Sequence, residues 1–459
     1  METKIFCKNI FNHFSKLFLI FILTNFLLTL TLFSQVRDRW VVRYNGPGNG
    51  EDTASELAID DSGNVYVTGS SKGAEGTYQF ATIKYDNDGN ELWVARFEGP
   101  NSQCNNYANA LAIDSSGNVY VAGTGVGEWS GYDCVVVKYN SSGEEQWVGR
   151  YDGLIYQYDE ATDVALDNNG NVYITGKSQG YGTFPYTYDY VTIKYNNNGV
   201  AQWIKRYNGE GNWDDEANAI VVDGSGNVYV TGYSYGYSTD TDYVTIKYST
   251  NGIEQWVKRY NTTGYDHEDI ATAIVLDDSG NVYVTGYSYV GSSTIKYNNN
   301  GIQQWVARHI TNQAYDMVLD TYGNVLITGE YNNAFITIKY NTSGIEEWFV
   351  VRAHIYTGDE GKAIAVDNLS NIYVTGYRYD NDTKIDYATI KYNTSGQEQW
   401  MVTYSGPGTK YDYVTDIAVD DSSNVYITGK SPGIDSGFDY VTIKYSQDVA
   451  VNQEVWMNY

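Results

Sequence analysis

The stretch Asp60-Asp61-Ser62-Gly63-Asn64-Val65-Tyr66-Val67-Thr68-Gly69 decides the fold. Asp, Ser, Gly and Asn are turn formers, and the β-branched and aromatic run after them is a strand signal. Its core, Gly-Asn-Val-Tyr-Val-Thr-Gly at 63–69, recurs with small substitutions at 117–123, 170–176, 226–232, 280–286, 323–329, 370–376 and 423–429. Upstream of each copy an Ala/Ile/Val-rich stretch ends in Asp: Asp60, Asp114, Asp167, Asp223, Asp277, Asp320, Asp367 and Asp420. Downstream comes an Ile/Val-Lys-Tyr triplet, centred on Lys84, Lys138, Lys194, Lys247, Lys296, Lys339, Lys391 and Lys444. A Trp then follows the first seven triplets: Trp93, Trp147, Trp203, Trp256, Trp305, Trp348 and Trp400. Length alone would divide 459 residues into about three domains, but internal repetition overrides that prior.

Each unit reads as four short strands, A (apolar, ending in Asp), B (Asn-Val-Tyr-Val-Thr), C (Val-Thr-Ile-Lys-Tyr) and D (Gln-Trp-Val-Lys-Arg-Tyr). From Asp to Asn across the A–B turn is four residues in all eight units, and from Lys to Trp across the C–D turn is nine in all seven internal cases. Such constancy predicts tight hairpins with Gly at a positive φ. Ser370 and Ser423 replace that Gly in the last two A–B turns, with no sequence rationale. The B–C and D–A connections vary in length, and in an antiparallel meander both emerge on one face, the top. Variable loops on a rigid scaffold are where binding residues concentrate.

Four antiparallel strands per unit, at a period of 43–56 residues, predict an all-β fold: a single β-propeller of eight four-stranded blades. The eighth unit lacks its D strand. Trp40-Val41-Val42-Arg43-Tyr44-Asn45-Gly46 matches Trp203-Ile204-Lys205-Arg206-Tyr207-Asn208-Gly209, so the N-terminal strand around Trp40 is expected to pair with the last blade and close the ring. Trp456 is the rival closing strand, but no Gly turn precedes it.

The pattern Asp-Asp-Ser-Gly-Asn-Val-Tyr-Val-Thr-Gly, repeated over nearly all of residues 36–445, resembles the bacterial repeat family called the seven-bladed β-propeller (SBBP) repeat, a relative of the Trp-Asp-repeat propellers. The resemblance implies a propeller and a bacterial surface or secreted location; it carries no catalytic residues. Eight motifs, rather than seven, set the expected blade number.

Residues 1–35 read as a signal peptide, with Lys4, Lys8 and Lys16 before an apolar run from Leu17 to Phe33. Retention as a membrane anchor is the alternative; after signal removal no membrane insertion is expected. The propeller is assigned to 36–445, and 446–459 to a C-terminal tail or the start of a missing module. A net charge of −27 argues against nucleic acid and anionic membranes. After the signal only Cys104 and Cys134 remain, which excludes a disulfide framework while leaving one bond open.

Repeated Trp and Lys suit blade packing better than a site, because a site is local whereas packing recurs. Candidate ligand-binding residues therefore come from the top-face loops. Carboxylates are Asp159, Glu160, Asp214, Asp215, Glu216, Asp266, Glu268, Asp359 and Glu360. Aromatics are Tyr156, Tyr181, Tyr186, Tyr188, Trp213, Tyr235 and Tyr237. Rings that stack on sugar faces beside hydrogen-bonding oxygens suit carbohydrate, and the same surface suits a protein ligand. His267, His309 and His354 lie too far apart by blade to predict a metal site. No cofactor is expected: the Asp-x-Ser-Gly-Asn turns lack the acidic positions of an EF-hand, so no motif indicates calcium. The expectation is a non-catalytic, monomeric, secreted or cell-surface scaffold whose partner is an extracellular polysaccharide or an envelope protein. The alternative is a secreted glycosidase or lyase using top-face carboxylates.

Overall fold

The computed structural model describes residues 36–127, 131–153, 158–180, 186–237, 239–262, 267–353, 358–382, 384–407 and 411–447. Residues 38–446 form one compact unit; the remaining terminal residues form another, of which 36, 37 and 447 alone are described. The expected signal peptide (1–35), Trp456 and nearly all of the expected C-terminal tail thus lie outside the described residues. Among the described residues no helix is long and apolar enough to cross a membrane.

Eight four-stranded antiparallel sheets follow the chain in the expected order. Blade one shows the logic: A is Asp52–Ile59, B Val65–Lys72, C Tyr78–Tyr85 and D Glu91–Phe97. B and C are the middle strands, and their apolar runs are buried on both faces between neighbouring blades. D is outermost and begins with exposed Glu91 and Leu92. The A strands of successive blades touch one another around the ring and so line its axis. In blade eight the strand Val36–Tyr44 pairs with Phe438–Gln447, taking the place of strand D. The ring therefore closes non-covalently, as the Trp40 match predicts. Arg43 reinforces the closure, donating to Asp439 at 3.2 Å, Ser431 at 3.0 Å and Tyr404 at 3.1 Å.

The repeated residues do structural work at each blade junction. Trp203 donates Nε1–H to the carbonyl of Thr250 in the next blade at 3.1 Å, and its ring lies over Gly252. Gly252 has a φ of 73°, and a Cβ there would come within 2.8 Å of the indole. Glycine is thus required both by the backbone and by the ring above it. Trp40, Trp93, Trp147, Trp256, Trp305 and Trp348 make the same contact. Trp400 is the informative exception. Its Nε1 is buried without a partner, because blade eight has no covalent C–D turn to offer a carbonyl.

Lys194 lies 5.0 Å from the Tyr173 ring centroid and donates to Thr250 in the next blade at 3.1 Å. The Tyr173 hydroxyl donates to Asp167 at 2.9 Å. Lysine reaches the Asp of its own blade clearly in blade six, Lys339 to Asp320 at 3.1 Å. In blades two, three, four and eight it donates to the C–D turn of the neighbouring blade. The A–B turns are Asp-capped: Asp60 accepts from the backbone of Ser62 and Asn64, from the Asn64 amide and from the Tyr66 hydroxyl at 2.7–3.0 Å. No metal is needed to explain them.

A second ring of stitches surrounds the axis. Each A strand carries a β-bulge near its middle, and the bulged side chain is free to reach sideways. Ser55, Asn109, Thr162, Asn218, Thr272 and Thr415 each donate to a backbone carbonyl of the next blade at 2.7–3.1 Å. One residue further on, Glu56, Asp163, Asp316 and Asp416 accept the backbone N–H of Leu111, Ile220, Ile364 and Leu57 across the junction at 2.6–2.9 Å.

Candidate ligand-binding face

The top ends of the strands carry a polar row within a blade. In blade three Arg206 on strand D donates to Asp189 on C at 2.8 Å and to Ser178 on B at 2.5 Å. Asp159 on A is buried and accepts the N–H of Gly153 at 2.7 Å. Asp215 does the same for Gly209 at 2.6 Å, and Asp359 accepts from Tyr379 at 2.9 Å. Three of the sequence-selected carboxylates, Asp159, Asp215 and Asp359, are therefore buried beneath the loops they order.

The next residue on strand A reaches the junction between adjacent blades at the top. Glu160 and Glu216 belong to adjacent blades, and both hold Lys177, at 3.3 and 3.0 Å. The Lys177 ammonium also sits 5.9 and 5.4 Å from the Tyr158 and Tyr188 ring centroids. Tyr158 donates to Glu160 at 3.1 Å and Tyr233 to Glu216 at 3.0 Å. Tyr78, Tyr107, Tyr132, Tyr158 and Tyr188 form a continuous aromatic row across blades one to three, with successive centroids 5.4–6.4 Å apart.

Trp213, 53% exposed, lies 6.5 Å from Tyr235 at an interplanar angle of 47°. Asp214 accepts the N–H of Tyr188 at 3.1 Å, fixing the loop that carries Trp213 to strand C of blade three. Burial, then the Asp240, Glu268 and Asp214 carboxylates, push the Tyr235 hydroxyl above the ordinary phenol range. Tyr186, Tyr237 and Tyr289 are exposed nearby in sequence, and Tyr289 stacks on His267 at 3.6 Å. Glu360 lies in blade seven, with Lys362 at 2.6 Å and the hydroxyls of Tyr315 and Tyr377 at 3.0 Å. The selected residues thus divide between a sector over blades three to five and a separate cluster in blade seven. Tyr156, Tyr181, Asp266 and His354 lie outside the described residues.

Blades five and six have short B–C turns. Ser288 reaches Gly291 through Tyr289 and Val290 alone. His309 packs on Phe349 at 4.8 Å, away from the His267–Tyr289 stack. Cys104 and Cys134 are free thiols, and burial pushes the Cys134 thiol up.

Two groups escaped the sequence reading. Asp152 brings a third carboxylate to Asp133 and Asp159, with ligand-type oxygens within 4.8 Å of one another. Arg150 already pairs with Asp133 there at 2.8 Å. The other group is the axial set Glu56, Asp163, Asp316 and Asp416. Clefts of about 380 and 490 Å³ open between neighbouring A–B turns on the opposite face, lined by Asp60, Tyr66 and Asp114 and by Asp223, Asp277 and Asn299 respectively. Their walls are the packing residues described above.

The family described as Beta-propeller repeat (SBBP) matches residues 40–75, 92–127, 149–182, 202–238, 354–377 and 399–434. The chain carries SBBP β-propeller repeats. The first matched SBBP unit spans the closing strand with A and B of blade one. No match covers blades five and six, where the short B–C turns occur.

Solved propellers share the fold. The C-terminal WD40 domain of Sif2 is 10% identical and aligns over 89% of this chain and 97% of its own, with a TM-score of 0.55. The Dos1 propeller is 9% identical over 90% of this chain and 95% of its own, at 0.57. Sqt1 of Chaetomium thermophilum, bound to the N-terminus of ribosomal protein L10, is 9% identical over 88% and 99%, at 0.54. Regulatory protein FlaEY of Caulobacter vibrioides is 30% identical over 33% of this chain; the match spans 15% of that protein's length.

Proposed function

We propose that this SBBP chain is a non-catalytic binding scaffold of the bacterial cell exterior, holding a polysaccharide or an envelope protein on its top face. The observation that carries the reading is the exposed aromatic sector over blades three to five. Trp213, Tyr186 and Tyr237 stand 53, 52 and 89% exposed there, beside Asp214 and Glu216. Large aromatic rings left exposed on a scaffold whose repeated tyrosines are buried between blades suit a partner surface. The opposite face offers its repeated residues to packing.

The alternative of a top-face glycosidase or lyase draws less support. Glu160 and Glu216 are tied to one lysine and to tyrosine hydroxyls, whereas a hydrolytic pair needs two carboxyls facing an open substrate cleft. The test is a polysaccharide array and an envelope-protein pull-down with the full chain, in calcium and in chelator. Binding that falls on Trp213→Ala and Tyr186→Ala supports the reading. Binding indifferent to both changes, or sugar release by the chain, overturns it.

A further inference from the structure

The top face contains several ammonium sites already filled by the chain's own lysines. Lys177 lies between Glu160 and Glu216 against Tyr158 and Tyr188. Lys362 sits 3.7 Å from the Tyr315 centroid and 5.0 Å from that of Tyr377, with Glu360 at 2.6 Å. Lys430 lies 5.5 and 5.0 Å from Tyr413 and Phe438. Aromatic rings beside a carboxylate attract a cation through the ring quadrupole and the full negative charge together.

Blades four and five carry a tyrosine where blade three carries Lys177, opposite Glu216 and Ile270 respectively. In blade three the strand-B residue paired with Glu160 is Lys177; in blade four the residue paired with Glu216 is Tyr233, and in blade five Tyr287 stands there. Trp213 and Tyr235 provide two ring faces 6.5 Å apart. Asp214, Asp240 and Glu268 bear on the Tyr235 hydroxyl, and Glu268 on that of Tyr287, each effect secondary to burial. The basic side chains at the top of these blades are committed: Arg259 pairs with Asp242 at 2.7 Å, and Arg308 donates to Tyr260 at 2.9 Å. Among the described residues no lysine or arginine pairs with Asp214, Asp240 or Glu268, on a chain of net charge −27.

We propose that Trp213, Tyr235 and Tyr287, with Asp214, Asp240 and Glu268, form a site for the ammonium group of a lysine side chain on a basic segment of a partner protein. The inference rests on the top-face reading above and narrows its ligand to a protein. The partner's lysine takes the role in blades four and five that Lys177 plays in blade three, its stem lying along the indole and its head among the three carboxylates.

The test is fluorescence anisotropy of the full chain with a labelled twelve-residue peptide of lysine alternating with glycine and serine, and with a norleucine version lacking every ammonium. The lysine peptide is expected to bind and the norleucine peptide to fail. Trp213→Ala leaves the net charge unchanged, and because Trp213 is exposed the fold, checked by circular dichroism, persists; affinity is expected to fall about tenfold. Asp240→Asn with Glu268→Gln should weaken binding at least as much, while Asp61→Asn with Asp88→Asn on the opposite face should not. Equal losses from the two double variants, or a Trp213→Ala affinity matching the parent, would reduce the binding to general charge attraction and overturn the proposal. The polysaccharide array separates the two failures: sugar binding sensitive to Trp213→Ala retains the top-face reading while removing the lysine site.

Discussion

Ser423 and Ser370 occupy positions where the other A–B turns use glycine, and they hold φ at 60° and 59°. A left-handed conformation costs a non-glycine residue about 1 kcal/mol. The hydroxyls explain why it is tolerated. Ser423 donates to Asp367 of blade seven at 2.9 Å, and Ser370 shares a 2.6 Å hydrogen bond with Thr321 of blade six. Each serine exchanges backbone ease for a bond to the preceding blade. Ser423→Ala keeps the strain and loses a bond to a charged acceptor, so urea unfolding is expected to show a loss of about 1–2 kcal/mol. Ser423→Gly loses the same bond but relieves the strain, and should fall closer to the parent. Equal losses for the two variants would mean that the backbone conformation carries no cost here.

At the level of the strand, the A-strand bulge gathers carboxylates at one height around the axis. Burial raises the carboxyls of Asp163 and Asp316 to about 6. Burial, with Asp316 adding repulsion, raises that of Asp416 to about 7. Glu56 is pushed well above the usual range by burial and then by Asp416, Asp163 and Asp316. For a carboxyl raised on folding, the protonated form is the better one in the native state. Its stabilisation is complete below the unfolded pKa, near 4, and is lost as pH rises through the folded value. The A–B turn aspartates act in the opposite sense. Despite burial, hydrogen bonds from Asn, Tyr and backbone hold Asp60, Asp114 and Asp167 below their ordinary range, so their stabilisation is lost in stronger acid. Thermal unfolding from pH 8 to pH 3 is therefore expected to show a midpoint that rises toward about pH 5 and falls below about pH 4. Asp416→Asn should flatten the rise between pH 5 and 8; an unchanged slope would remove the axial carboxylates as its source.

The same strands show why some features were legible in sequence and others were not. Trp203, Gly252 and Asp223 recur at fixed spacing, so their packing roles could be read from repetition. Glu56, Asp163, Asp316 and Asp416 share their position with Ala110, Ala219, Ala273 and Ala363, so no recurring motif announces them. Lining up the eight A strands shows four acids and four alanines at this position, but that four acids face one axis is a consequence of ring closure. Trp213 and Glu268 likewise come from separate connections and Tyr235 from the end of a B strand, and the sequence placed them on one face without bringing them together. Asp159, Asp215 and Asp359 were misleading for a local reason: each sits one residue before a glutamate at the blade junction, and the strand's alternation buries it where it accepts backbone N–H groups.

For the whole molecule, closure by a strand from the far end of the chain makes blade eight depend on the first described residues. Without Val36–Tyr44 the strand Phe438–Gln447 becomes an exposed edge, flanked by apolar surface that Trp40, Val42 and Tyr44 now cover. Arg43 would also leave Asp439 unpaired, and a part-buried charge stripped of its partner is costly. Unpaired edges recruit other chains, so loss of this strand should both destabilise and associate the protein. Deletion of Val36–Asn45, with residues 1–35 kept in place, is expected to lower the unfolding midpoint and to broaden the transition, as blades eight and one melt ahead of the rest. Size-exclusion chromatography should show concentration-dependent oligomers absent from the parent. Arg43→Ala separates charge from pairing: it keeps the edge covered, so it should lower the midpoint without producing oligomers. A deletion variant that stays monomeric and unfolds with the parent's midpoint and width would show that the ring holds through its neighbouring blades alone.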